Sequence, residues 1–83
     1  MPGHILLVED DNAIATVVSA ALEDDGFAVT RTDSLVGRDR NLAGQHFDAM
    51  LTDVILTDGD GIDDLGGIRN AHPDMPIIIL SAQ

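Results

Sequence analysis

The sequence predicts an α/β fold in which a parallel sheet carries helices on its faces. First, short apolar runs alternate with segments that have the apolar spacing of helices, in the order β-α-β-α-β-α-β. Second, the first apolar run, HILLV, is continuous rather than alternating, as in a strand buried on both faces. Third, the chain has 83 residues, of which 45% are hydrophobic, and this suits one small globular domain.

In the first half of the chain, a strand at residues 4–8 is followed by a helix and a second strand. The helix is predicted from apolar residues spaced i, i+3, i+4, i+7 and i+8, namely Ile14, Val17, Val18, Ala21 and Leu22. Asp11 or Asn12 can cap its start, and Gly26 stands where a helix ends. The second strand is predicted at residues 27–30.

The second half repeats the alternation. A weaker helix is predicted at residues 34–43, because Gly37 interrupts it, and a third strand follows at residues 47–52. The next helix is predicted at residues 61–70, and a fourth strand at residues 77–80 ends the regular structure.

The composition of the chain excludes several classes of partner and site. The formal net charge is −11, which repels nucleic acid and anionic membranes and favours cations or basic partner surfaces. The chain has no cysteine, so neither a disulfide nor a thiolate metal site can form. It has no lysine, and its basic residues are Arg31, Arg38, Arg40 and Arg69. No signal peptide or bilayer-spanning apolar run is visible, so we expect a cytoplasmic protein that does not contact membranes.

Polar residues follow three of the predicted strands. Glu9 and Asp10 follow the first strand, Asp53 the third and Ser81 the fourth. Functional residues of open parallel sheets gather at these strand ends. If the first and third strands are neighbours, three carboxylates converge, and their repulsion calls for a cation or a retained proton. Magnesium fits such oxygen ligands best, calcium is the alternative, and zinc is disfavoured because no Cys or His stands at a strand end.

Four motifs together resemble the receiver domain of two-component response regulators. They are LLVEDD at residues 6–11, LTD at residues 51–53, the pair Asp60 and Gly61, and ILSA at residues 79–82. The resemblance covers all 83 residues in register. It implies a flavodoxin-like doubly wound sheet with strand order 2-1-3-4. It also implies a signalling domain that takes a phosphoryl group onto itself, rather than an enzyme that acts on other substrates.

The resemblance assigns a role to each candidate site residue. Asp53 would be the phosphoacceptor, which receives a phosphoryl group from a sensor histidine kinase or a phosphotransfer protein. Mg²⁺ would be bound directly by Asp10 and Asp53, directly or through water by Glu9, and by the backbone carbonyl of Ile55. Ser81 would be the switch hydroxyl that turns toward the phosphate.

Two departures from the family pattern shape further expectations. A proline usually stands where this chain has Thr57, and receivers usually continue past the fourth strand with a helix, a lysine-bearing strand and a last helix. We therefore expect residues 1–83 to be an incomplete, C-terminally truncated receiver domain that is phosphorylated poorly. The fourth strand would then be an exposed edge and part of the sheet face would be uncovered, so a homodimer through these surfaces is expected.

Two alternative functions come from other classes. ILTDGDGI at residues 55–62 resembles the D-x-D-G motif of haloacid-dehalogenase-like phosphatases, which would make Asp58 and Asp60 catalytic. That motif should close the first strand, and the lysine that these phosphatases require is absent. The second alternative is a receiver-like interaction module that is never phosphorylated. In the receiver interpretation, Asp58 and Asp60 only turn the chain, and Arg38 and Arg40 form solvated pairs with nearby acids.

Overall fold

The computed structural model describes residues 3–56 and 58–80. Its strands are β1 (His4–Val8), β2 (Ala28–Thr32), β3 (Ala49–Thr52), β4 (Ile55–Leu56), β5 (Gly59–Asp60) and β6 (Ile77–Ile79). Its helices are α1 (Asn12–Asp24), α2 (Leu35–Gly44) and α3 (Leu65–Ala71). Within the described ranges, one sheet of four parallel strands has the order β2-β1-β3-β6, and β4 and β5 form an antiparallel hairpin. The predicted α/β class and the order 2-1-3-4 are confirmed, with β6 as the predicted fourth strand.

Helices cover both faces of this sheet, as the doubly wound class requires. On one face the strands pack against α2 and α3, in a cluster formed by Leu6, Val8, Leu42, Phe47, Met50, Leu56, Leu65, Ile68 and Met75. On the other face they pack against α1, in a cluster formed by Ile5, Leu7, Ala15 and Leu51. Because β1 lies between two strands and two helical layers, Leu6, Leu7 and Val8 are completely buried. A continuous apolar run is therefore what this position needs.

Side-chain caps set the starts of the first two helices. The carboxylate of Asp11 accepts a hydrogen bond from the backbone N–H of Ile14 at 2.9 Å, and the hydroxyl of Ser34 accepts one from Gly37 at 3.0 Å. The predicted break at Gly37 does not occur, since α2 runs through it. A Cβ atom at this position would overlap the hydroxyl of Thr32, so the glycine lets α2 approach β2 closely.

The third helix begins later than predicted. The prediction placed its start at residue 61, whereas α3 begins at Leu65. The preceding residues are used by the hairpin of β4 and β5 and by a turn, in which the carboxylate of Asp60 accepts a hydrogen bond from the N–H of Ile62 at 2.9 Å. The hairpin needs a glycine at position 59, where φ is +152°. Turn chemistry therefore overrides the helical spacing of the apolar residues in this segment.

Several apolar side chains remain exposed on α1 and β6. Val17 of α1 is 69% exposed, and Ile78 and Ile79 of β6 are 51% and 45% exposed. Among the described residues, β6 pairs with β3 alone. None of the helices in the described part of the chain is both long and apolar enough to cross a membrane.

Candidate metal and phosphoacceptor site

Three carboxylates converge at the carboxyl ends of β1 and β3. Glu9, Asp10 and Asp53 each offer one oxygen, and these oxygens all lie within 4.8 Å of one another. The parallel register of β1 and β3 explains the convergence, because Val8 and Thr52 are partners and the acids follow directly. In the described ranges, no other group of three or more His, Cys, Asp or Glu side chains has this spacing.

The environment of Glu9 makes its negative charge unfavourable. Its side chain is only 2% exposed, and this burial raises the pKa of the Glu9 carboxyl. A hydrogen bond of 3.1 Å from the backbone N–H of Asp11 opposes the rise, while the carboxyl groups of Asp53 and Asp10 add to it. A cation among these oxygens would favour the ionised form of Glu9, because it would offset both the cost of burying the charge and the repulsion from the neighbouring carboxyls.

The set of donor atoms suits a hard divalent cation. All three side chains offer carboxylate oxygens, and no imidazole or thiolate takes part in the group. Asp10 and Asp53 are half-buried, which leaves room for water ligands beside the protein oxygens. Mg²⁺ prefers carboxylate oxygens and retains several waters, so the residues present fit it.

The backbone around Asp53 is held from several sides. Its N–H donates to the carbonyl of Val8 at 2.9 Å, which extends the β1–β3 ladder to the acid itself. Its Oδ1 accepts from the N–H of Val54 at 2.9 Å, and its carbonyl accepts from the hydroxyl of Thr52 at 3.0 Å. A Cβ atom at Gly61 would overlap the Asp53 carbonyl oxygen, so the following loop packs directly on this backbone. The nucleophile candidate thus sits on a rigid strand end.

Two predicted site residues are less defined by the structure. The backbone of Ile55 begins β4 two residues past Asp53 and pairs with Asp60, so its carbonyl remains a predicted ligand. Ser81 lies outside the described residues, and its switch role stays a prediction. The chain just before it runs beside β3, where the N–H of Leu80 donates to the Thr52 carbonyl at 2.8 Å.

Arg31 supports the acidic loop, and sequence reasoning gave it no role. From the end of β2, its Nε donates to the backbone carbonyl of Glu9 at 2.9 Å and its Nη1 to Oδ1 of Asn12 at 3.0 Å. These bonds tie the β1–α1 loop to the neighbouring strand. An arginine at the end of a strand predicted to lie next to an acidic loop is the signal that could have identified it.

Asp58 does more than turn the chain. It stands between β4 and β5, and its two carboxylate oxygens accept hydrogen bonds from the backbone N–H groups of Leu35 at 2.8 Å and Val36 at 3.1 Å. The bond from Leu35 is the main reason that the pKa of Asp58 lies below its ordinary value. Neither Asp58 nor Asp60 belongs to the group of converging acids, so the phosphatase alternative is not favoured.

Arg38 is buried, and the prediction of a solvated pair is wrong for it. Its side chain is 1% exposed, and Nη2 lies 2.7 Å from Oδ2 of Asp64 and 2.9 Å from Oδ1 of Asp39. Burial lowers the pKa of the guanidinium, but the bonds to Asp64 and Asp39 outweigh it and raise the pKa overall. The bond between Arg38 and Asp64 joins α2 to the residue that precedes α3, and the guanidinium is buried there.

Comparison with known proteins places the chain in a family. The family model of the response regulator receiver domain matches residues 5–83. The DNA-binding transcriptional regulator NtrC of Rhizobium meliloti (strain 1021) is 38% identical over 79 residues, which are 95% of this chain and 16% of that protein. The swarming motility regulation protein RssB of Serratia marcescens is 40% identical over 80 residues, which are 96% of this chain and 36% of that protein. The chain therefore spans about a third or less of these relatives.

Solved receiver structures show the same architecture. The MaeR response regulator bound to beryllium trifluoride superposes with a TM-score of 0.88 at 29% identity and covers 100% of this chain and 69% of its own. The non-phosphorylated HemR receiver domain from Leptospira biflexa gives 0.87 at 31% identity, over 100% and 66%. The beryllofluoride-activated NtrC4 receiver domain dimer gives 0.84 at 28% identity, over 92% and 63%. With the family model, the relatives and the parallel sheet in agreement, this chain belongs to the receiver domains of two-component response regulators.

Proposed function

We propose that this receiver domain takes a phosphoryl group onto Asp53 at a Mg²⁺ site formed with Glu9 and Asp10. The observation that carries the proposal is the convergence of the three carboxylates within 4.8 Å at adjacent strand ends. The donor would be a phosphohistidine of a sensor histidine kinase or a phosphotransfer protein. Receiver domains are signalling domains rather than classical enzymes, and here the chain would be modified itself.

Phosphoryl transfer depends on positioning and charge neutralisation more than on covalent help. The Asp53 carboxylate would attack phosphorus, the new P–O bond would form as the P–N bond breaks, and the imidazole would leave with the electron pair. Two hydrogen bonds hold the attacking group in place. The Asp53 N–H donates to the carbonyl of Val8, and the N–H of Val54 donates to Oδ1 of Asp53. A bound Mg²⁺, held by Glu9, Asp10, Asp53 and the Ile55 carbonyl, would neutralise charge on the phosphoryl oxygens.

The phosphorylated form would then act as a conformational switch. An aspartyl phosphate offers acceptor oxygens that can reorder neighbouring loops, and Ser81 is the proposed hydroxyl that would bond to them. The absence of lysine from the 83 residues implies that no lysine of this chain would bind the phosphate. We therefore propose that the 83-residue chain is phosphorylated slowly.

Self-association is a further part of the proposal. Ile78 and Ile79 are exposed on β6, which within the described part of the chain has a partner on one side only. Val17 is exposed on α1, which among the residues that the structure describes is the only helix on its face of the sheet. A second copy of the chain could cover both surfaces, whereas the net charge of −11 disfavours direct contact with nucleic acid.

The test is phosphorylation by acetyl phosphate with Mg²⁺, followed by intact-mass spectrometry. We expect the unmodified chain and Asp58→Asn to gain one phosphoryl group, and Asp53→Asn to gain none. Asp63→Asn removes an exposed acid from the same region of the chain and serves as the charge-matched control. Equal labelling of Asp53→Asn and the unmodified chain would disprove the assignment of Asp53, and loss of labelling in Asp58→Asn alone would support the phosphatase-like alternative.

A further inference from the structure

The loop that follows Asp53 is attached to the first turn of α2. The first N–H groups of a helix have no partner within the helix. Here Asp58 accepts from the N–H groups of Leu35 and Val36 at 2.8 and 3.1 Å, and Ser34 accepts from Gly37 at 3.0 Å. The negative charge of Asp58 also lies at the positive end of the helix dipole. The start of α2 is thus completed by an acid that is distant in sequence.

Packing between apolar groups strengthens this attachment. Leu56, at the end of β4, is 5% exposed and belongs to the core cluster against which Leu35 packs. A Cβ atom at Gly59 would come 2.8 Å from the Leu35 side chain, so the loop and the helix are in close contact there. The loop therefore contacts α2 both through the hydrogen bonds of the charged Asp58 and through close apolar packing against Leu35.

The same loop is closed against the candidate phosphoacceptor. The N–H of Gly61 donates to the carbonyl of Val54, and a Cβ atom at Gly61 would overlap the carbonyl of Asp53. The described residues on either side of position 57, namely 53–56 and 58–61, thus form a short closed segment, with Asp53 at its base and Asp58 at its tip. Because this segment is short and closed, a displacement of Asp53 would also displace Asp58.

A second link lies just beyond this segment. The buried Arg38, one turn along α2, donates to the carboxylate of Asp64 at 2.7 Å. Asp64 directly precedes α3. The helix α2 is therefore hydrogen-bonded to residues on both sides of Gly61, namely Asp58 and Asp64. A movement of these residues would be transmitted to α2.

We propose that Asp58 is a positioning residue that couples the candidate Mg²⁺ and phosphoryl site to the N-terminal turn of α2. This inference rests on the proposed function, because it assumes a ligand at Glu9, Asp10 and Asp53. Asp58 does not touch that ligand in this scheme. It holds the loop that carries the Ile55 carbonyl, and it transmits changes at Asp53 to the amides of Leu35 and Val36.

The test is an NMR titration of the ¹⁵N-labelled 83-residue chain with Mg²⁺ and then with beryllofluoride. The amides of Asp10 and Asp53 report ligand binding, and those of Leu35 and Val36 report the coupling. In the unmodified chain we expect both pairs to shift with one common Kd. In Asp58→Asn, Mg²⁺ should bind about threefold to tenfold more weakly, as the loss of one charged hydrogen-bond partner implies, and Leu35 and Val36 should no longer respond.

The control is Asp63→Asn, because the Asp63 side chain is exposed and makes no hydrogen bond within the described part of the chain. It should keep both the Mg²⁺ affinity and the response of α2. If Leu35 and Val36 stay unmoved in the unmodified chain while Asp10 and Asp53 titrate, the coupling is refuted and the metal site stands. A response of α2 in Asp58→Asn as large as in the unmodified chain also refutes it. If neither pair responds in the unmodified chain, the proposed function itself fails.

Discussion

Replacing Glu9 by glutamine should stabilise the metal-free protein and weaken its response to Mg²⁺. Glu9 is 2% exposed, and its pKa is raised by burial and by the neighbouring carboxyls. At 4.8 Å and an effective dielectric constant of about 20, one carboxylate pair repels by about 3.5 kcal/mol. Asp10 and Asp53 are half-exposed, so solvent screening reduces the expected gain in unfolding free energy to about 1–2 kcal/mol.

Urea unfolding in EDTA and in Mg²⁺ measures this effect. Glutamine keeps an oxygen that can accept the bond from the Asp11 N–H, so the substitution changes the charge with little change in shape. In EDTA, Glu9→Gln should have the higher unfolding free energy. In Mg²⁺, the unmodified chain should gain the stabilisation that ligand binding provides, and the variant should gain less. A variant that is less stable than the unmodified chain in EDTA would show that charge repulsion does not govern this site.

The pH dependence provides a second readout of the same group. Because the folded state binds the Glu9 proton more tightly than the unfolded state, the unfolding free energy should fall as the pH rises from about 4.5, the ordinary value, through the raised pKa. Glu9→Gln should lack this component. Asp48 and Asp58 have lowered pKa values and act in the opposite direction, since their contribution is lost as the pH falls below 3.8. The two effects therefore occupy different pH ranges.

Three further predictions concern the supports of the site and its surface. Gly61→Ala should lower the unfolding free energy by about 1–3 kcal/mol, because the added methyl group overlaps the Asp53 carbonyl. The same change should slow labelling by acetyl phosphate. Normal stability and normal labelling would contradict this packing. Arg31→Met should weaken Mg²⁺ binding, as measured by calorimetry, because it removes the bond to the Glu9 carbonyl. The control Arg40→Met changes an exposed arginine and should leave the Mg²⁺ affinity unchanged. Equal affinities in both variants would show that Arg31 does not support the site. Light scattering at tens of micromolar should detect a dimer formed through β6 and α1, and a stable monomer would argue against it.

Local features of the fold could be predicted from sequence because they depend on neighbours along the chain. The run HILLV identified β1 with both of its ends, and the predicted cap at Asp11 acts on an N–H group only three residues away. The hairpin of β4 and β5 was missed, because its two-residue strands are too short for a periodic signal. The start of the third helix was misplaced, because the hairpin and the turn at Asp60 use the residues that the apolar spacing had assigned to the helix.

The site shows the same division between local and distant effects. The acids at the ends of the first and third strands could be named from the sequence, since polar residues after buried strands stand out against apolar runs. Their supports could not be named. Asp58 bonds to Leu35 across 23 residues, and Arg31 bonds to the Glu9 carbonyl across 22. Pattern reasoning considers neighbours within a few positions and therefore treats such residues as surface charges.

For this protein, the order of residues along the chain determined the four strands of the main sheet, the first two helices, the cap at Asp11 and the identity of the three acids. The tertiary structure alone decided that β1 and β3 lie side by side, which brings the oxygens of the acids within 4.8 Å. It also decided that Arg38 is buried beside Asp64, which is 26 residues away. The physical reason is that helical and strand periodicity arise from local backbone geometry, whereas strand order and the pairing of distant charges arise only when the two apolar faces of the sheet are covered together.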